Sequence, residues 1–282
     1  MPSALSSLAH LAEPNRGGHP DVFWEEYAWI IRDAIQNDAR SLQTQIGPSE
    51  IGLECTHCLA LKIAQVEEVR DPDDEWLATV GKAFHKWLET TFTAYNEQFS
   101  AGAARFLTEL RVEVGEVGGQ VISGSCDLYD RNEASITDWK LVGITTLREV
   151  RRLKETGDTK GVYRKQGHLY GRGAVARGLP VERIRVAYLP RNGRFGLREA
   201  VIFDEPYDEG IALAALDRAN AIADTTAAIG LKAFTDIAPR AAGCYSCPRY
   251  PDSDGNVPSA GTGHRSRAEA LSGLIAPNPV VA

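Results

Sequence analysis

Apolar residues recur at helical spacing in the first third of the chain, which predicts three helical segments before any strand. The first starts near Val22 and reads VFWEEYAWIIRDAI, and the second lies within 47–65, after turn-forming residues. The third, EWLATVGKAFHKWLETTF, follows an acidic break at 71–74 that contains proline. Its predicted apolar face consists of Leu77, Val80, Phe84, Trp87 and Thr91.

The apolar period changes to two in the middle of the chain, which predicts β-strands. The predicted strands cover 106–114, 120–130, 134–142, 183–190 and 197–203. Short turns join the first three, so we expect an antiparallel meander. A basic helical region separates the third strand from the fourth, and an Ala-rich helix is predicted from about Asp208 to Ile229. This order predicts an α/β fold in which a mixed sheet is flanked by helices.

Composition places the chain among globular proteins, because 43% of its 282 residues are hydrophobic and 24% are charged. We expect a flexible lead-in over 1–20, one domain over 21–250, and a partly disordered tail over 251–282. No apolar run approaches the roughly 18 residues of a membrane span, and the N-terminus lacks the pattern of a secretory signal. We therefore expect a cytoplasmic protein, in which the five cysteines bind metal or are buried rather than forming disulfides.

Positive charge is concentrated in one part of an acidic chain. The net charge of −7 by itself argues against nucleic acid as a partner. Residues 148–194, however, hold thirteen Lys and Arg against four Asp and Glu, a local excess of +9. This basic stripe has two interpretations, a phosphate-binding surface or the solvated faces of ordinary helices. Its residues of interest are Arg148, Arg151, Arg152, Lys154, Arg164 and Lys165.

Three charged residues lie on the second and third predicted strands. Asp127 ends the run G-S-C-D, and Asp138 and Lys140 sit two apart in S-I-T-D-W-K-L-V, so they point to the same face. Because the turn between the strands is short, Asp127 and Asp138 can be neighbours, and close carboxylates repel unless a cation lies between them. Their oxygen atoms suit Mg²⁺ or Mn²⁺. The simpler alternative is a surface Asp–Lys pair without a function.

The context of these residues resembles the core of the PD-(D/E)xK nuclease superfamily. G-K-A-F-H, from Gly81 to His85, is similar to the G-x-x-x-H helix of RecB-like nucleases. Gln166 and Tyr170, at i and i+4 of a predicted helix, match their Q-x-x-x-Y motif. With G-S-C-D and D-W-K between them, the motifs occur in the expected order, and the resemblance covers roughly 47–250.

The resemblance implies an active site. The ligands of Mg²⁺ or Mn²⁺ would be His85, Asp127, Asp138 and the backbone carbonyl of Trp139. Lys140 would orient the attacking water and help to neutralise the phosphate, and Gln166 and Tyr170 would position the DNA strand. Glu113, on the first strand, would lie just outside the ligand set. The residues that meet DNA phosphates would be Arg148, Arg151, Arg152, Arg164 and Lys165.

Two C-x-x-C pairs bracket the predicted domain: Cys55 and Cys58, then Cys244 and Cys247, 186 positions after Cys58. Such pairs suit tetrahedral zinc or an iron–sulfur cluster. The layout resembles the iron–sulfur RecB-like nucleases of the CRISPR-associated and AddB types, which implies a 4Fe–4S cluster that joins the chain ends. Those relatives usually supply one early and three late cysteines, whereas this chain supplies two and two, so Zn²⁺ is the alternative. Cys126, which stands where the superfamily name has Pro, is expected to be buried.

The leading hypothesis is a metal-dependent DNA exonuclease that acts on single strands or duplex ends in recombination, replication or DNA processing. It would be a stand-alone phage or bacterial enzyme, with residues 21–250 as its nuclease domain. An alternative of another class is a protein that holds DNA ends beside recombination or CRISPR-adaptation proteins and cleaves poorly or not at all. A third is a zinc-stapled structural protein with coincidental motifs. The sequence leaves polarity of digestion, strand preference and oligomeric state open.

Overall fold

The computed structural model describes residues 20–37, 45–70, 72–100, 102–194 and 196–250. The predicted lead-in up to residue 19 and the predicted tail 251–282 lie outside the described residues. The helices are α1 (Pro20–Gln36), α2 (Pro48–Ile51), α3 (Thr56–Ile63), α4 (Pro72–Phe99), α5 (Ile144–Glu155), α6 (Gly161–Ala176), α7 (Glu209–Ile229) and α8 (Leu231–Ile237). The strands are β1 (Phe106–Val117), β2 (Gln120–Asp130), β3 (Ser135–Val142), β4 (Arg183–Pro190) and β5 (Val201–Pro206). None of the helices in these ranges is both long and apolar enough to cross a membrane.

Five strands form one mixed sheet in the order β1-β2-β3-β4-β5. Antiparallel pairing of β1 with β2 and of β2 with β3 confirms the predicted meander. β3 and β4 are parallel because α5 and α6 carry the chain back between them, and β5 returns antiparallel to β4. The last strand begins later than predicted, since Gly196–Glu199 form a 3₁₀ turn in which Gly196 takes a φ of +57°. The structure thus confirms an α/β fold with a mixed sheet flanked by helices.

Helix α6 packs against the sheet and contributes Leu169 to the main buried cluster. A glycine permits the close approach, because a Cβ on Gly167 would overlap the side chain of Ile184 on β4. The same helix carries Gln166 and Tyr170, both 5% exposed. Packing of α6 therefore fixes two predicted site residues relative to the strands.

Helix α4 turns a different face to the sheet from the one that the apolar pattern predicts. Trp87, in the predicted face, is 57% exposed, whereas Leu88 is buried. Phe92 stacks on Trp139 of β3, with ring centroids 5.8 Å apart. The sheet-facing stripe follows His85, Leu88 and Phe92, at i, i+3 and i+7, and this register brings His85 to the strands.

Candidate metal centres

The strands β2 and β3 separate at the two aspartates predicted as metal ligands. Their pairing ends at Leu128 opposite Thr137, so the next pair in register, Asp127 and Asp138, lies beyond the ladder. The Trp139 amide instead donates a hydrogen bond to Asp127 Oδ2, at 2.7 Å. The Asp127 carboxylate thus takes the place of the backbone carbonyl of β2 as the acceptor for this amide. Both aspartates therefore lie at the point where β2 and β3 separate.

His85 reaches the same opening from α4. Its Nδ1 atom lies 3.2 Å from Asp127 Oδ1. The hydrogen bond with Asp127 raises the pKa of the imidazole, although burial acts in the other direction. An imidazole nitrogen beside a carboxylate oxygen is a common start of a divalent-metal site. The structure therefore places the predicted histidine and aspartate within reach of one ion.

Asp138 is the most deeply buried charged group of this centre, with 1% of its surface exposed. Lys140 Nζ forms an ion pair with Asp138 Oδ2 at 2.7 Å, whereas Asp138 Oδ1 is buried and accepts no hydrogen bond from the described residues. Burial raises the pKa of the carboxyl to about 6, against the opposing effect of Lys140. Buried carboxylate oxygens without hydrogen bonds are costly unless a cation satisfies them. Asp138 is therefore held in a buried ion pair by Lys140, and its Oδ1 atom is left for a further partner.

Gln166 and Tyr170 join the centre through a chain of hydrogen bonds that starts at Lys140. Lys140 Nζ donates to Gln166 Oε1 at 3.1 Å, and Gln166 Nε2 donates to the Tyr170 hydroxyl at 3.3 Å. The Tyr163 ring lies under the Lys140 ammonium, at 4.6 Å from its centroid. Burial raises the pKa of Tyr170, which keeps its phenol protonated. Gln166 is thus hydrogen-bonded to Lys140 directly, and Tyr170 is connected to Lys140 through Gln166.

A residue that the sequence reasoning did not select also joins the centre. Glu109, on β1, offers a carboxylate oxygen that lies with ligand atoms of His85 and Asp127 in a group no wider than 4.8 Å. The predicted Glu113 is not in this group; it is exposed and lies about 13 Å further along the strand, at about 3.3 Å per residue. No signal in the sequence indicates it, because a register shift between Glu113 and Gly115 is needed for the observed pairing of 108 with 128 and of 110 with 126, which sets Glu109 opposite Asp127.

Four cysteines from the two ends of the described domain form a second centre. Cys58 Sγ lies 3.4 Å from Cys247 Sγ and 3.8 Å from Cys244 Sγ, and Cys55 Sγ lies 3.7 Å from Cys247 Sγ. All four sulfur atoms are within 4.8 Å of one another. Burial alone would raise the pKa of Cys55, but hydrogen bonds from neighbouring amides outweigh it and lower this pKa to about 7. The cluster joins α3 to the segment that follows α8, as the C-x-x-C pairs predict.

The spacing of these sulfur atoms fits one tetrahedral ion. A Zn–S bond is about 2.3 Å long, so the sulfur atoms of a regular ZnS₄ tetrahedron stand about 3.8 Å apart. The three sulfur–sulfur distances of 3.4, 3.7 and 3.8 Å lie close to this value. A 4Fe–4S cluster holds four iron atoms between the thiolates and therefore needs wider spacing. Cys126 is buried in β2 and is not a member of this group, as expected.

The predicted DNA-binding residues differ in how accessible they are. Arg148, Arg151 and Arg152 are exposed on α5, and Arg151 donates to the Glu199 carbonyl at 3.1 Å. Arg164 instead forms a two-pronged ion pair with a carboxylate of β5, with distances of 2.7 and 2.8 Å. The partly buried residue beside it is Lys165. The exposed members of the predicted set therefore lie on α5, directly after the strand that carries Asp138 and Lys140.

Comparisons with known proteins give distant likenesses. No family model and no curated protein matches the chain. Among solved structures, an alkaline exonuclease (LHK-Exo) from Laribacter hongkongensis is 12% identical, with a TM-score of 0.41 over 68% of this chain and 90% of that chain. LHK-Exo in complex with dAMP is 13% identical, with a TM-score of 0.41 over 73% and 93% of the two chains. A phage-related exonuclease from Haemophilus somnus 129PT is 13% identical, with a TM-score of 0.32 over 51% and 70%. Because these similarities are distant, any activity has to be argued from the chemistry of the site.

Proposed function

We propose that the protein is a metal-dependent DNA exonuclease that hydrolyses phosphodiester bonds in single strands or at duplex ends. The convergence of His85, Asp127, Asp138 and Lys140 at the opening between β2 and β3 carries this proposal. These residues come from three separate elements, and they form one contiguous polar centre. A surface ion pair, the simpler alternative, does not account for a carboxylate that is 1% exposed.

The ligand set suits a hard divalent cation. In this proposal His85, Asp127, Asp138 and the Trp139 carbonyl hold Mg²⁺ or Mn²⁺. When bound, the ion supplies Lewis-acid chemistry, because it polarises the scissile phosphate and makes water a better nucleophile at neutral pH. Asp138 Oδ1 supports the fit, since this atom is buried and accepts no hydrogen bond from the described residues.

Lys140 contributes a fixed positive charge beside the proposed ion. Burial lowers the pKa of its ammonium, but Asp138 and Asp127 more than offset this effect and raise it, so the group is charged at neutral pH. The hydrogen bond to Gln166 gives the ammonium a defined position. We assign Lys140 to orient the attacking water and to offset the negative charge that develops on the phosphate. Gln166, supported by Tyr170, is assigned to position Lys140 as well as the DNA strand.

The basic residues of α5 are the proposed route for the DNA backbone. Arg148 and Arg152 are exposed and follow directly after the strand with Asp138. Phosphate contacts of this kind give affinity without sequence specificity, and the affinity falls steeply with salt. Arg164 is the least suited of the predicted set, because its guanidinium is already paired with Glu205.

The cysteine cluster has a structural role in this proposal. We propose Zn²⁺ as its ion in place of the 4Fe–4S cluster that the resemblance implies, because the sulfur spacing fits a single tetrahedral ion. The ion would cross-link α3 to the segment after α8 and so join the two ends of the described domain. Zinc and iron determination on protein purified without oxygen tests this assignment. Stoichiometric iron with visible absorption of an iron–sulfur chromophore would contradict it.

Cleavage of DNA labelled at the 5′ or the 3′ end, with Mg²⁺ and with Mn²⁺, tests the nuclease proposal. We expect metal-dependent release of nucleotides by the wild-type protein and loss of cleavage in Asp127→Ala and Lys140→Ala. A matched control is Lys232→Ala on α8, where an exposed lysine pairs with Asp236 on the next turn. Metal-dependent cleavage retained by both variants would contradict the proposed site. Tight DNA binding by a wild-type protein that does not cleave would favour the alternative of a DNA-end-holding protein.

A further inference from the structure

Strand β1 brings a carboxylate to the centre from the side opposite to β3. Glu109 lies across from Asp127 in the register of β1 and β2, and its carboxylate shares a space of 4.8 Å with ligand atoms of His85 and Asp127. We infer that Glu109 is a further ligand of the divalent ion, so that the metal is held from β1, β2, β3 and α4 together. This inference rests on the proposed function, because it concerns the same centre.

The closeness of two carboxylates supports this assignment. Glu109 and Asp127 come from neighbouring strands, and their oxygen atoms lie within 4.8 Å of each other and of a nitrogen of His85. Like charges that face each other on neighbouring strands are unfavourable. A divalent cation between the two carboxylates removes this repulsion.

A second observation points to a ligand independently of the acidic group. Asp138 is 1% exposed, and although its Oδ2 atom is ion-paired with Lys140, its Oδ1 atom accepts no hydrogen bond from the described residues. A buried oxygen in this state is typical of a position where an ion completes the coordination. Asp138 stands beside Asp127, the residue that Glu109 faces. The centre therefore has an unsatisfied interior side at Asp138 and a solvent-facing side at Glu109.

The backbone at Glu109 provides a way to separate metal binding from a structural role. Its φ is +47°, a left-handed conformation that glycine adopts more easily than glutamate. Glu109→Gly therefore removes the carboxylate without a backbone penalty, and Glu109→Gln removes the negative charge while it keeps the length of the side chain. A loss of Mn²⁺ affinity that both variants share would report on the carboxylate rather than on the backbone or on packing.

A titration of the full chain with Mn²⁺ tests the inference. The electron paramagnetic resonance signal of free Mn²⁺ measures how much of the ion remains unbound. We expect Glu109→Gln and Glu109→Gly to bind Mn²⁺ at least about tenfold more weakly than the wild type, since loss of even an indirect partner of a metal ligand costs about 10–100-fold. Glu116→Gln is the matched control, an exposed glutamate on the same strand, and should bind like the wild type. Metal-free melting temperatures are measured on every variant.

The outcomes distinguish this inference from the proposal on which it rests. Mn²⁺ affinities of both Glu109 variants within twofold of the wild type would overturn the ligand role alone and leave the nuclease proposal standing. Loss of Mn²⁺ affinity in Glu109→Gly with wild-type affinity in Glu109→Gln would assign Glu109 a structural role and also overturn the inference. If Asp127→Ala binds Mn²⁺ as tightly as the wild type does, both the ligand role of Glu109 and the proposed metal centre of the nuclease are overturned.

Discussion

Replacement of Lys140 by methionine leaves the buried carboxylate of Asp138 without its counter-charge. The two groups are 2.7 Å apart, which corresponds to an attraction of about 6 kcal/mol at an effective dielectric constant of about 20. Breaking a buried pair by removing one partner typically costs about 3–5 kcal/mol. Because the carboxyl can take up a proton, we expect the lower end, about 3 kcal/mol of unfolding free energy. For a domain of this size the melting temperature would fall by roughly 6–12 °C.

A double-mutant cycle with Asp138→Asn isolates the pair. Urea unfolding at pH 7.5, without added divalent ions, should give a coupling energy of about 2 kcal/mol between the two positions. Lys232→Met is the control, because its exposed ion pair on α8 contributes at most about 1 kcal/mol. A Lys140→Met protein within about 0.5 kcal/mol of the wild type, with no measurable coupling, would refute the description of Asp138 as a buried charge held by Lys140.

Three further predictions concern packing, charge and pH. Gly167→Ala should destabilise the protein by about 1–3 kcal/mol, since its methyl would overlap a β4 side chain, whereas Gly81→Ala, with open space around it, should be neutral or stabilising by up to about 1 kcal/mol in urea unfolding. Arg148→Ala should lower the slope of log DNA affinity against log salt by about one, whereas Arg164→Ala, whose guanidinium is held by β5, should leave that slope unchanged in a fluorescence-anisotropy titration. Burial lowers the pKa of His168, so the unfolded state takes up its proton first and stability is lost as pH falls below about 6.5. Unfolding free energies between pH 7.5 and 5.5 should therefore decline less steeply in His168→Gln, and equal slopes in the two proteins would contradict this reasoning.

The strands were predictable because their apolar period of two is a local property of the sequence. The face of α4 was not, because this helix carries two apolar stripes and the sequence does not indicate which one the sheet covers. Stacking of Phe92 on Trp139, 47 positions away in the chain, selects the stripe with Leu88 and leaves Trp87 exposed. Tertiary contacts of this kind decide burial where the local pattern is ambiguous.

The residues of the candidate site also differ in whether the local sequence predicts them. His85, Asp127, Asp138 and Lys140 belong to short motifs whose order along the chain is informative, and the structure brings them together. Glu109 belongs to no motif, and its place depends on strand register and on a left-handed backbone that glutamate rarely adopts. Pairing of Arg164 with a glutamate 41 positions away could not be read from local charge either.

The most direct measurement is anomalous X-ray diffraction from crystals soaked in Mn²⁺. The account predicts an anomalous peak between α4 and the opening of β2 and β3, bonded at about 2.1 Å to a nitrogen of His85 and to an oxygen of Asp127. Crystals of Asp127→Asn should show this peak strongly reduced. Manganese that binds elsewhere on the protein while this centre holds none would contradict the account.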